Sequence, residues 1–159
     1  MPSSVTLTHA VTTLTSTGTA TDTNTLTIGG KTYTVQTSLT NVDGNILIGA
    51  DAAATCQNIY DAVNLTGTVG TQYATAMTAN TRVRASAVTA TTVVFRALTP
   101  GEIGNLIATT DTVTNFAFTS TVMASGAGNV TAWAASALTQ SQMSSEVINL
   151  FRALTATDD

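Results

Sequence analysis

Residues 25–63 read TLTIGGKTYTVQTSLTNVDGNILIGADAAATCQNIYDAV, and this stretch decides the fold. Leu26 and Ile28 share one face before Gly29-Gly30, and Tyr33 and Val35 share one face after it. A Gly-Gly pair supplies the positive φ angles of a two-residue hairpin turn, so a β-hairpin is predicted here. Lys31 falls at the tip, where a charge is readily solvated. Asp43-Gly44 is a second turn signal. Ile46, Leu47 and Ile48 are too apolar for a surface loop and predict a short buried strand over 45–49. Asp51 then stands as a helix N-cap, its carboxylate set to accept from a free backbone N–H. Ala52, Cys56, Ile59 and Val63 step by four, three and four, one face of a helix over 52–64. Tyr60 flanks that face, and Thr55, Asn58 and Asp61 are assigned to the opposite one.

Outward from this stretch the chain is unusual in composition. Of its 159 residues 36 are threonine, and only 9% are charged, against about 25% in ordinary soluble domains. Threonine is β-branched, fits a pleated surface and offers a hydroxyl. A surface that carries Thr in place of Lys and Glu suits packing against neighbours, which points to an assembly subunit. The alternative reading of the same composition is a secreted β-protein. The net charge of −4, with five basic residues, excludes the continuous phosphate-contacting stripe of a nucleic-acid binder. Arg82 and Arg84 share a face of a predicted strand and read as a solvated face or a local ion pair. The lone Cys56 excludes an intrachain disulfide and reads as a small core hydrophobe. The opening MPSSVTLTHAV has neither a basic run nor a cleavage pattern, and no run reaches the length of a membrane span. The expectation is synthesis in a cytoplasm, without export by the standard route, and with no membrane partner.

In residues 1–24, Val5 and Leu7 alternate with polar residues, and Val11 and Leu14 follow less regularly. A first strand and then a linker are predicted, the strand free to pair with its own sheet or with a neighbour's edge. After the helix, strands are predicted at 73–79, at 82–88 with Val83, Ala85 and Ala87 on one face, and at 92–98 with Val93, Phe95 and Ala97 on one face. Thr99-Pro100-Gly101-Glu102-Ile103-Gly104-Asn105 is a breaker. Residues 106–111 read as irregular, and Phe116 and Phe118 share a face. Residues 120–136 are Gly/Ala/Ser-rich and take no clear form. Thr139-x-x-Gln142 matches a capping box before Met143, Val147, Leu150 and Leu154, widened by Ile148 and Phe151, which predicts a helix over 140–155.

No catalytic constellation is legible. His9 has no second histidine or acidic cluster beside it, which argues against a metal. No Ser or Cys nucleophile has a visible base, and the carboxylates form no pair at helical spacing. A two-carboxylate sugar hydrolase would come with more aromatic residues than the 5% here. The loop PGEIGN lacks the Lys-Ser/Thr of a phosphate-binding loop. No cofactor and no metal are expected. The matches to glycosylation sequons at Asn64 and Asn129 are expected by chance in so Thr-rich a chain.

Ile28-Gly29-Gly30 with Tyr33, Ile48-Gly49-Ala50, Asn58-Ile59, Ala62-Val63-Asn64, Gly70 with Tyr73, and Pro100-Gly101-Glu102-Ile103-Gly104-Asn105 occur in an order that resembles a small β-rich module of tailed-bacteriophage virion structural proteins. The resemblance spans residues 25–105 and rests on turns and core positions. It implies a fold unit and a virion component, and it implies no enzymatic activity.

The resulting expectation is an α+β fold: a mostly antiparallel sheet or sandwich with one packed helix over 52–64 and a C-terminal helix over 140–155. Residues 1–24 would form an arm or a strand plus linker, 25–136 the core, and 137–159 the second helix with an acidic tail. The expected function is a capsid decoration or cement subunit. Its partners would be other virion proteins and copies of itself, with no nucleic acid and no membrane. A tail, baseplate, tube or fibre subunit is the second reading, and a carbohydrate-binding adhesion module the third. The residues expected to meet partners are Val5, Leu7, Val11, Val147, Leu150, Phe151 and Leu154, in the two ends of the chain.

Overall fold

A computed structural model describes residues 6–128. They form an α+β unit of two four-stranded sheets and one main helix. The first sheet is ordered β5-β6-β1-β8, from β1 (His9–Ser16), β5 (Val83–Val88), β6 (Thr92–Pro100) and β8 (Phe116–Phe118). The second is ordered β4-β3-β2-β7, from β2 (Thr25–Ile28), β3 (Lys31–Gln36), β4 (Asn45–Leu47) and β7 (Thr109–Asp111). Every pairing is antiparallel except β3 with β4. The inward side chains of both sheets and of helix α1 (Ala52–Asn64) make one core, with Tyr33, Phe95, Leu14, Leu26 and Ile59 fully buried.

The hairpin, the short strand and the helix form where the sequence places them. Gly29 and Gly30 both have positive φ, 63° and 81°, as the two-residue turn requires. Asp51 caps α1 by accepting from the Ala54 N–H at 2.8 Å. Cys56, Ile59 and Val63 are buried on the expected stripe.

Within the described part of the N-terminal segment, residues 9–16 form the strand β1. β1 pairs with β6 on one side and β8 on the other, so it is an inner strand of its own sheet. It begins at His9, two residues beyond the predicted Val5–Leu7 alternation, and it buries Ala10, Thr12, Leu14 and Ser16.

Several other expectations change. Thr55, Asn58 and Asp61 are 0%, 8% and 6% exposed, not on a solvent face. Residues 73–79 form no strand. There the Ala76 and Thr78 N–H groups bond the side chains of Asn41 and Asp43 instead of a ladder, while Tyr73 and Met77 are buried. A bulge between Ala85 and Ala87 turns Ala87 out of the core, because the extra residue reverses the alternation. Residues 109–111, read as irregular, form β7. PGEIGN is a turn that continues into a 3-10 helix at Glu102–Leu106. Lys31 is not at a solvated tip, since its ammonium bonds the Asp43 carboxylate at 2.7 Å and the Thr78 hydroxyl at 2.9 Å. The predicted helix over 140–155 lies outside the described residues.

Because β1 lies inside its sheet, deleting residues 1–24 is expected to abolish cooperative folding. Circular dichroism with urea titration reads this directly, and a sharp transition retained by the truncated chain would show β1 to be dispensable.

Candidate interaction surface

Helix α1 packs against β4 and β5, the edge strands of the two sheets on one side of the sandwich. The backbone of residues 72–74 bonds the outer edge of β4 at Leu47 and Asn45, and the helix's polar side chains reach further groups on both flanks. The Asn58 amide donates to the Leu47 carbonyl at 2.9 Å. The Thr55 hydroxyl accepts from the Gly49 N–H at 3.0 Å. On the other flank, Asn64 donates to the Ala85 carbonyl at 2.9 Å and accepts the Ala85 N–H at 3.1 Å. That amide imitates a strand residue. The next outward N–H of β5, at Val83, goes to the Asn80 side-chain Oδ1 at 3.1 Å. An edge strand with free N–H and C=O groups is a template for another chain, and here side chains occupy it. The Asn64 sequon therefore has a structural use for its amide.

Below the helix, the Asp61 carboxylate gathers a loop. It accepts from Gln57, from Gln72 at 2.7 Å and from the Thr66 hydroxyl at 2.8 Å, while Gln72 also donates to Asn58. Gly67 sits over this group with φ of 71°, and a Cβ there would lie 2.3 Å from the Gln72 side-chain oxygen. No larger residue fits without breaking the network.

The opposite face of the first sheet is turned away from the core. It carries Val11, Thr13 and Thr15 from β1, Val94, Arg96 and Leu98 from β6, and Arg84 and Ser86 from β5, with Arg82 just before it. Leu7 and Val11, expected to meet partners, are both exposed here. Val5 and the four C-terminal positions Val147, Leu150, Phe151 and Leu154 lie outside the described residues. Val122 is exposed on the segment that pairs with β1 through Val11 and Ala124. Ile103 and Leu106, on the 3-10 turn beside β1 and β6, are 61% and 74% exposed. Gly104 of that turn approaches Ala10 and Ala97 so closely that a Cβ would lie 2.8 Å from the Ala10 methyl. The turn is thus held on the sheet by its glycine while its two large side chains face out.

Three titratable groups are shifted by their surroundings in the fold. Burial pushes the Cys56 thiol up to about 11, far from a thiolate nucleophile. Burial likewise pushes Tyr33 up to about 12, opposed by its bond to Asn80 and aided by the nearby Asp43 charge. Burial alone would raise Asp43, but bonds from Lys31, the Thr78 N–H and the Thr78 hydroxyl outweigh it, with the Lys31 charge, and hold the carboxyl at about 2. His9 Nδ1 is 2.7 Å from the Ala97 carbonyl. Among the described residues no group of three His, Cys, Asp or Glu side chains gathers as a metal site. No described helix is long and apolar enough to cross a membrane.

Sequence reasoning did not find Asn64, Asp61 or the neighbourhood of Arg96. Midway between the predicted strands 82–88 and 92–98, the short link 89–91 was the one signal that could have placed Arg84 opposite Arg96.

Two stability predictions follow from these bonds. Asn64→Ala leaves both Ala85 groups without their partner and is expected to cost about 1–2 kcal/mol in urea unfolding, with increased self-association in analytical ultracentrifugation. The Asp43 carboxyl is lowered from 3.8 to about 2 by folding. The stability it contributes is therefore present above pH 4 and lost as pH falls toward 2. The urea midpoint of the native protein should fall more steeply across that window than that of Asp43→Asn, and equal slopes would exclude the clamp.

No protein-family model matches this chain, and neither the curated proteins nor the solved structures hold a significant match to it.

Proposed function

We propose that this chain is a non-enzymatic structural subunit of a tailed-bacteriophage particle, working as capsid decoration or cement. It would stabilise the shell by burying apolar surface against shell subunits and further copies of itself, with the virion as its place of residence. The observation that carries the reading is where the exposed apolar side chains lie. Of nine large ones exposed among the described residues, five lie around the end where β1 begins and β6 finishes. Leu7, Val11 and Leu98 lie along the strands, and Ile103 and Leu106 on the 3-10 turn docked over the inward methyls of Ala10 and Ala97. Apolar side chains gathered in this way mark contact surfaces more than scattered ones do. Thr13 and Thr15 continue the outer face along β1, beside Arg96 of β6, which Val11 opposes in the ladder. The order of turn and core motifs over 25–105 supports the phage assignment through its resemblance to virion modules. The interior supports a scaffold role, because its carboxylates and thiol are engaged in holding the fold.

The test is reconstitution. Purified protein mixed with heads lacking it should bind in many copies and raise their resistance to heat. Val11→Asp with Leu106→Asp should stay folded and bind at least about tenfold more weakly, since a charge is driven into an apolar contact. Failure of the native protein to bind any particle, or binding to tails alone, would overturn the cement reading.

A further inference from the structure

Three of the chain's five basic residues stand together on the outer face of the first sheet. Arg84 lies directly opposite Arg96 in the β5–β6 ladder, and Arg82 is one step along the same face. Facing like charges on neighbouring strands repel. In a chain with nine acids and five bases, their meeting does not follow from abundance. Among the described residues the salt bridge is Lys31–Asp43, which leaves these arginines without a carboxylate partner there. Arg96 adds a second, independent sign. Its Nε is buried and has no hydrogen-bond acceptor among the described residues. An unsatisfied guanidinium N–H is costly unless something arrives to accept from it.

Beside Arg84 runs a groove of about 490 Å³ along β5, with Tyr60, Asn64, Thr66, Ser86 and Leu98 among its walls. Its lining combines an aromatic ring, an amide, hydroxyls and an apolar side chain. The outward backbone groups of β5 at Val83 and Ala85 are already taken by Asn80 and Asn64, so an occupant is held by side chains and not by adding a strand.

We propose that this groove and the Arg82, Arg84 and Arg96 face bind a short, extended, carboxylate-bearing segment of another protein chain. Guanidinium forks match carboxylates in two-point geometry, and three of them suit a segment with two or three acidic side chains. A long nucleic acid is disfavoured, because the rest of an acidic molecule would repel its backbone. The site stands on charge and shape and does not require the particle reading, since any partner could present such a segment.

The probe is an eight-residue peptide alternating glutamate and threonine, with glutamine replacing glutamate in the control, read by fluorescence anisotropy on the full chain. The glutamate peptide should bind at least about tenfold more tightly than the control and weaken with salt. Arg82→Glu with Arg84→Glu changes only exposed side chains. It should lose the glutamate peptide and gain a lysine–threonine peptide. Arg96→Gln should weaken binding without reversing the preference. Equal binding of the glutamate and glutamine peptides would overturn the proposal, as would unchanged binding by the double variant. Tighter binding of an eight-residue oligothymidylate would overturn it in favour of a phosphate ligand.

Discussion

The two sheets share no strand, and helix α1 spans from one to the other beside their edge strands β4 and β5. The backbone of residues 72–74 bonds the outer edge of β4, and side chains bond that of β5. The helix's apolar stripe fills the gap, and its flanks finish the backbone bonding. Thr55 and Asn58 serve the β4 side, and Asn64 serves β5. Burial of Cys56, Ile59 and Val63 supplies the larger, non-directional part of the free energy. The amides supply position, because a bond at a strand edge tolerates little sliding. A helix attached only by its apolar stripe could shift along either sheet. Bonds to Leu47 and Ala85 remove that freedom and leave one register.

On the far side the chain uses backbone instead. β7 and β8 lie next to one another, and residues 119–127 bond to β1 and to the β7 region in turn. The Thr119 and Ala124 N–H groups donate to β1, while Thr109 donates to the Thr121 carbonyl and Met123 to the Ile107 carbonyl. One sandwich is therefore closed by two different means, a helix with polar flanks on one side and a crossing segment on the other. This places β1 among the inner strands of the first sheet.

Much of this was legible locally. The glycine pair, the Asp51 cap and the four-three-four stripe specify the hairpin and α1 nearly to the residue, because turns and caps depend on neighbours in the chain. What sequence could not place depended on groups far away. Asn58 and Asp61 look like a solvent face by helical spacing, yet a strand edge and a loop reach them from outside the helix. Residues 73–79 alternate like a strand, but the side chains of Asn41 and Asp43 claim the N–H groups that a ladder would need. For the contact surface, Leu7 and Val11 were identifiable as apolar positions on a strand. Leu98, Ile103 and Leu106 join them only through the pairing of β1 with β6 and the docking of the 3-10 turn.

The scarcity of charge is consistent with the same bonding logic. Among the described residues, aspartates act as acceptors within the fold. Asp22 takes the Thr37 N–H, Asp51 the Ala54 N–H, Asp111 the Phe118 N–H, and Asp61 three side chains. Turn-rich β-proteins expose N–H groups at every bend, so an acceptor finds employment nearby. A guanidinium only donates, and the carbonyls of a closed ladder are already occupied. Arg82, Arg84 and Arg96 make no side-chain hydrogen bond to the described residues, whereas Lys31 is drawn in by Asp43 and Thr78. The described aspartates have therefore been absorbed into the architecture. The arginines remain on its outer face, where only groups from outside the described fold can complete their bonding.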